Sequence, residues 1–330
     1  MRIKATKGKQ GIGTEVKDTT YVEAAGWGKY RGWRYLLGLV VILVAQLVVG
    51  SAASALVAFA IAGQEGLAAY TQQDFSAIGS VRGFLVLMAG FPFFLAGVLI
   101  AVSLIHRRHP RTLITAQERV RWSRIGQGFV AWFIPLCLVG GMGQYLFYPD
   151  TFSFAPDLAA FARFVPIALI LTALQTTTEE LFFRGYIVQG ASRIWANRIF
   201  LALVSTVVFA VPHLLNPEAR AGGWLTSFLY YFVGGGLVLA VVSLVDGTTE
   251  LAIGAHFANN IFGFLVVNAA GTVVSTPALF IVSEFHATYV ALSVLVIIPI
   301  FLAIAYKGFK RDEASEPVSQ SDREGRRWSR

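Results

Sequence analysis

Three short segments hold the groups best placed to do acid–base chemistry from an apolar setting. Glu179-Glu180-Leu-Phe-Phe-Arg184 ends one long apolar run, Phe209-Ala-Val-Pro212-His213 ends another, and His256-Phe-Ala-Asn259-Asn260 lies inside a third. Neighbours on a helix differ by about 100°, so Glu179 and Glu180 point different ways, whereas Glu180 and Arg184 share a face and can pair. Glu179 is left without that cation and is a candidate general base. His256 and Asn260, four residues apart, also share a face, and two polar groups on a spanning helix must meet protein or water. Such a set is enough for hydrolysis. A carboxylate takes a proton from water, the water attacks a carbonyl, and imidazole and amide groups stabilise the oxyanion. Each segment also has a plainer reading: an ion pair at a helix end, an interfacial histidine, and an interhelical hydrogen-bond clamp. Pro212 lacks an N–H, so it either ends its helix or aims His213 into a cavity.

The elements that must position these groups are membrane helices. Of 330 residues, 55% are hydrophobic and 14% charged, where an ordinary soluble domain has about a quarter charged. About eight apolar stretches approach the roughly 20 residues a spanning helix needs: 33–63, 81–105, 125–147, a fourth from 161 through the Glu179 segment, 199–215, 224–245, 250–270 and 287–306. The expected fold is therefore all-α, a polytopic membrane helix bundle. Its expected parts are a basic cytoplasmic tail (1–32), N-terminal transmembrane helices (33–160), a catalytic helical core (161–270), a last transmembrane helix (271–306) and a disordered cytoplasmic tail (307–330).

Charge placement predicts orientation. Residues 1–34 carry eight basic and three acidic groups, 106–124 carry six arginines against Glu118, and the tail from Lys307 carries seven basic and five acidic groups. The alternate links 64–80, 148–160 and 275–286 are acidic or neutral. Both termini are then expected in the cytoplasm. The link Asp246-Gly-Thr-Thr249 breaks the pattern, since it should be cytoplasmic and has no basic residue. The net charge of +8 sits in tails and one loop, where anionic headgroups attract it, rather than on one folded face as in a nucleic-acid binder. The expected surroundings are the lipid bilayer, with no nucleic-acid partner. The lone Cys137 excludes internal disulfides, and the N-terminal tail shows no apolar run followed by a cleavage site.

The three segments, in this order, resemble the EExxxR, FxxxH and HxxxN motifs of the CAAX-protease and bacteriocin-processing (CPBP, or ABI) family of intramembrane proteases. The resemblance covers about 161–270. It implies that Glu179 activates water, that His213 holds or orients it, and that His256 and Asn260 form the oxyanion hole. Glu180 and Arg184 would hold the site together. No cofactor is expected. A divalent metal such as zinc stays open, with Glu179, His213 and His256 as its candidate ligands, although HExxH spacing is absent. The implied activity is endoproteolysis of a peptide or membrane-associated protein, in a bacterial plasma membrane. The cytoplasmic side is the expected reaction face, because Arg193 and Arg198 follow Arg184. Two other functions compete: a non-catalytic immunity or scaffold protein of the same fold, and a proton-relaying transporter, against which no inverted repeat is visible.

Overall fold

The chain is described here from a computed structural model covering residues 20–154 and 157–309. Eight long helices follow the apolar stretches. They are α1 (Gly32–Gln72), α2 (Ser80–Ile105), α3 (Trp122–Phe147), α4 (Leu158–Ala191), α5 (Arg198–His213), α6 (Pro217–Asp246), α7 (Glu250–Ile261, prolonged by wider turns over Phe262–Val266) and α8 (Ala287–Gly308). Six of them are long and apolar enough to cross a membrane, while α5 is apolar but shorter. Leu36, Val40, Leu43, Val44, Leu47 and Val48 stay exposed along α1, which is how a face turned to lipid looks. The chain folds as a helical polytopic membrane bundle.

Three details depart from expectation. The first stretch bends near its expected end, at Ala62 and Gly63, where Gly63 takes φ +58, a left-handed conformation that suits glycine. The chain then continues as helix to Gln72. The seventh stretch is not helical to 270. It turns at Val267 into β2 (Val267–Ala269), which pairs in parallel with β3 (Phe280–Val282); β3 pairs antiparallel with β1 (Phe152–Phe154). Lastly, residues 20–31 are no loose extension. Tyr21 is fully buried and packs with Val188, Leu201, Ala240 and Leu244. Its backbone N–H donates to Gly247 and its carbonyl accepts from Gln189. Aromatic burial thus overrides the basic charge around it. The rest of the expected basic tail (1–19) and most of the expected disordered tail (310–330) lie outside the described residues.

The eight helices alternate in direction. At one end lie 20–31 and the links 106–121, 192–197 and 247–249, joined by Thr249 N–H to Ile114 O and Lys29 N–H to His106 O. The other end carries 73–79, 148–154, 214–216 and 267–286. The acidic link at the first end has a physical explanation. Glu250 is wholly buried and pairs with Arg121 at 2.8 Å, and Asp246 pairs with Arg124 at 2.7 Å. Arg121 and Arg124 therefore neutralise buried carboxylates rather than face lipid. The same contact brings α3 and α7 together. A Cβ on Gly254 would run into the Ile125 carbonyl, and one on Gly128 into that of Leu251. This close approach lets α7, which carries His256, lie directly against α3.

Arg124→Ala leaves the Asp246 carboxylate buried without its cation and is expected to cost about 3–5 kcal/mol. The check is a fall in Tm of the solubilised protein. Arg119→Ala, at an exposed position in the same loop, is expected to leave Tm nearly unchanged.

Candidate active site

Glu180 is the hub of the polar groups inside the bundle. It is wholly buried, and its Oε1 accepts from Arg184 Nη1 at 2.7 Å and from His256 Nδ1 at 2.7 Å. The first contact is the expected one-turn pair on α4. The second joins α4 to α7. Arg184, also wholly buried, turns its other nitrogen to the carbonyl oxygens of Gly235 and Gly236 on α6. These carbonyls are reachable because the glycines bring α6 close: a Cβ on Gly235 would lie 2.8 Å from the Phe209 ring. The Gly234–Gly236 run thus supplies acceptors as well as close packing. Thr176 and Thr178 bond back to carbonyls of their own helix, Thr172 and Leu174, and do not touch the carboxylates.

Phe209 is the platform beneath. The Arg184 guanidinium lies over its face at 4.4 Å, the His213 ring stacks on it at 4.3 Å and the His256 ring meets it edge-on at 5.9 Å. Its carbonyl accepts from His213 Nδ1 at 2.7 Å. A carbonyl only accepts, so Nδ1 carries the proton, and in the neutral ring Nε2 is an acceptor. Pro212 does not displace this histidine. It sits in the last turn of α5, which stays helical to His213.

Glu179 is nearly buried and its Oε2 has no hydrogen-bond partner among the described residues. The closest cation-forming group is His256 Nε2, at 3.5 Å, longer than a good hydrogen bond. Asn260 donates to Gln175 Oε1 at 2.9 Å, one turn before Glu179. Asn259 donates to Asn260 and to the Tyr230 hydroxyl, and accepts from the Trp132 indole. Glu179, His213, His256 and Asn260 all line one cavity of about 370 Å³; Glu180 and Arg184 lie behind its wall. Gln175, Asn216, Glu218, Tyr230, Tyr231 and Asn268 line it too. None of these carried a signal in the sequence, because Glu218 and Asn216 sit in a link and the tyrosines sit in an apolar run.

The cavity lies toward one end of the bundle. Its outer wall comes from Asn216, Glu218, the residues after Val267 and Phe285, while no residue of 106–121, 192–197 or 247–249 lines it. The expected opening beside Arg193 and Arg198 is therefore not found. That end is closed beneath Arg184 by Tyr21 and Gln189. Among the described residues no three His, Cys, Asp or Glu side chains are grouped to hold a metal ion. His256 commits Nδ1 to Glu180 and His213 commits Nδ1 to a carbonyl. Their Nε2 atoms stay uncommitted, the nitrogen through which a histidine held at Nδ1 binds a metal, but no third donor is grouped with them among the described residues.

Residues 161–262, from α4 through α7, match the family model described as type II CAAX prenyl endopeptidase Rce1-like. A protein of Bacillus subtilis (strain 168), uncharacterized protein YyaK, is 31% identical over 229 residues, 69% of this chain and 76% of its own length. The chain belongs to the Rce1-like CAAX endopeptidase family. No solved structure matches it. The matched region contains all three motif segments and the whole Glu180 hub, so this family member is an integral multi-pass membrane protein of a peptidase family. Helices α1 to α3 lie outside the match, yet α2 contributes Met88 and α3 contributes Trp132 and Leu136 to the cavity.

Arg184→Met alone leaves Glu180 buried beside His256 without its cation and is expected to cost about 3–5 kcal/mol in stability. The double variant Glu180→Gln/Arg184→Met is expected to recover most of that loss, since no unpaired charge is left. Thermal unfolding of the two variants side by side checks this.

Proposed function

We propose that this protein is an intramembrane endopeptidase that cleaves a peptide or membrane-associated protein by glutamate-activated water. The observation carrying this reading is the Glu179 carboxylate: buried, with one oxygen free of protein partners, beside His256 and on the wall of the His213 cavity. Glu179 takes a proton from water as the oxygen attacks the scissile carbonyl. His213 Nε2, an acceptor because Nδ1 is committed, accepts the water's second hydrogen and aims the attacking lone pair. The tetrahedral oxyanion draws on Asn260, whose amide is exchanged from Gln175, and on His256. With Nδ1–H given to Glu180, His256 donates through Nε2 only when doubly protonated. The nearby Glu179 is the source of that proton. That transfer restores the Glu179 carboxylate; the proton then moves from His256 Nε2 to the leaving amine as the C–N bond breaks, which returns His256 to its neutral form.

The chain sits in a bacterial plasma membrane with both termini in the cytoplasm. The basic groups of 1–34 and 106–124 and the Bacillus relative support this. The cavity would then open toward the extracytoplasmic side. Substrates there are peptides or membrane proteins, and prenylation is not required by anything lining the cavity.

Two measurements test this. Peptides of the membrane and secreted fractions are compared between wild-type and Glu179→Gln cells. Products present only in the wild type are expected, and identical profiles refute the mechanism. Glu179→Gln removes the base without removing volume, so kcat is expected to fall by a factor of about 10²–10⁴. For orientation, Thr272→Cys in a Cys137→Ala background is expected to react with a membrane-impermeant maleimide in intact cells. Arg107→Cys is expected to react only after permeabilisation, and the reverse pattern inverts the topology.

A further inference from the structure

One feature of the cavity is not used by the chemistry above: its wall includes the edge of a β-sheet. In the order β1-β3-β2, strand β2 is an outer strand, and no strand pairs with its other side among the described residues. All three of its residues, Val267, Asn268 and Ala269, line the cavity that holds Glu179. The strand is firmly braced from behind. Asn268 Nδ2 donates to the carbonyls of Gly263 and Val274 at 3.1 and 3.3 Å, and its Oδ1 accepts from Thr276 N–H at 3.2 Å. Leu279 N–H donates to Leu265 O and Ala270 N–H to Val282 O. Thr276 Oγ1 caps the Phe264 carbonyl at 2.7 Å.

An open strand edge is a row of backbone donors and acceptors at a fixed spacing, and its natural complement is another extended backbone. The edge here is short, rigid, and continuous with the reaction cavity. Strand β2 grows directly out of the helix that carries His256 and Asn260. Val267 follows Asn260 by seven residues, a helical rise of about 10 Å. An extended peptide covers that distance with about three residues. The phenylalanine and valine side chains around the strand, Phe264, Val267 and Val274, make unpaired backbone groups there unfavourable, so a peptide strand gains where a compact helix gains nothing.

Resting on the endopeptidase reading above, we infer that β2 is a substrate-binding edge: an extended stretch of the peptide adds to it as a fourth strand and is thereby led into the site, the scissile bond lying about three residues from the paired stretch. A helical substrate must unwind over this stretch before it is cut. Recognition through backbone groups makes the site tolerant of side-chain identity and intolerant of lost N–H groups.

The test uses the full-length protein in nanodiscs and a reporter peptide taken from the products that separate wild type from Glu179→Gln. Each backbone N–H of the reporter is methylated in turn, and binding to the Glu179→Gln protein is measured. Methylation is expected to weaken binding tenfold or more at alternate positions about three residues from the cleaved bond, and to have little effect between them. In a second measurement, Ala269→Cys in a Cys137→Ala, Glu179→Gln background is offered reporters with a single cysteine at successive positions. Disulfide trapping is expected with a period of two. Uniform tolerance of N-methylation, or trapping with a period of three to four, overturns the strand site even though the wild type cleaves the reporter. If no peptide is cleaved by the wild type or bound by the Glu179→Gln protein, the endopeptidase reading falls first and the strand site with it.

Discussion

A carboxylate at bilayer depth has to be neutralised by protein, and that requirement organises the centre of this molecule. Glu180 takes two donors on a single oxygen, one from its own helix and one from α7. Arg184 then has donors left over, and they find carbonyls on α6 that a glycine run has brought within reach. Three helices are tied through one buried ion pair, and Phe209 from a fourth supplies the aromatic face beneath them. Such pairs add little net stability, because desolvation offsets most of the attraction. What they contribute is position: each partner has one arrangement in which every charge is answered.

That arrangement separates two adjacent glutamates by place. Glu180 takes both of its donors on Oε1 and lies behind the cavity wall. Glu179, one residue earlier and about 100° around the helix, keeps an unpartnered oxygen at the cavity. Neighbouring residues of one type thus take different places, one behind the wall and one on the cavity, with helical geometry distinguishing them. His256 connects the two, one ring nitrogen on each carboxylate. The two histidines are not equivalent: His213 is held at Nδ1 by a backbone carbonyl, His256 at Nδ1 by the buried Glu180 carboxylate.

The eight helices were readable in the sequence because apolar length is a local property, and so was the Glu180–Arg184 pair, since i, i+4 spacing implies contact on any helix. Glu179, His213, His256 and Asn260 stood out because polar groups are rare in apolar runs. Other features left no such trace. Tyr21 lies in a segment whose basic composition suggests a tail, yet it is buried against residues up to 223 positions away. Asp246 and Glu250 looked like an anomaly in the charge pattern until Arg121 and Arg124, over 120 residues earlier, were found against them. The strand after Val266 follows a helix without a composition change, because a valine-rich run suits either structure.

The amino-acid sequence by itself determined which residues cannot be left facing lipid, and hence which helices must pack against others. It did so because the free energy of a charge in hydrocarbon depends on little besides the charge. Which groups answer one another was decided only in three dimensions. The Gly235 and Gly236 carbonyls as partners of Arg184, the placing of Glu179 on the cavity, and the end of the bundle on which the cavity lies all follow from how closely α3, α4, α6 and α7 approach. That approach is set by glycines whose significance depends on what stands opposite them, and no spacing along one chain records it.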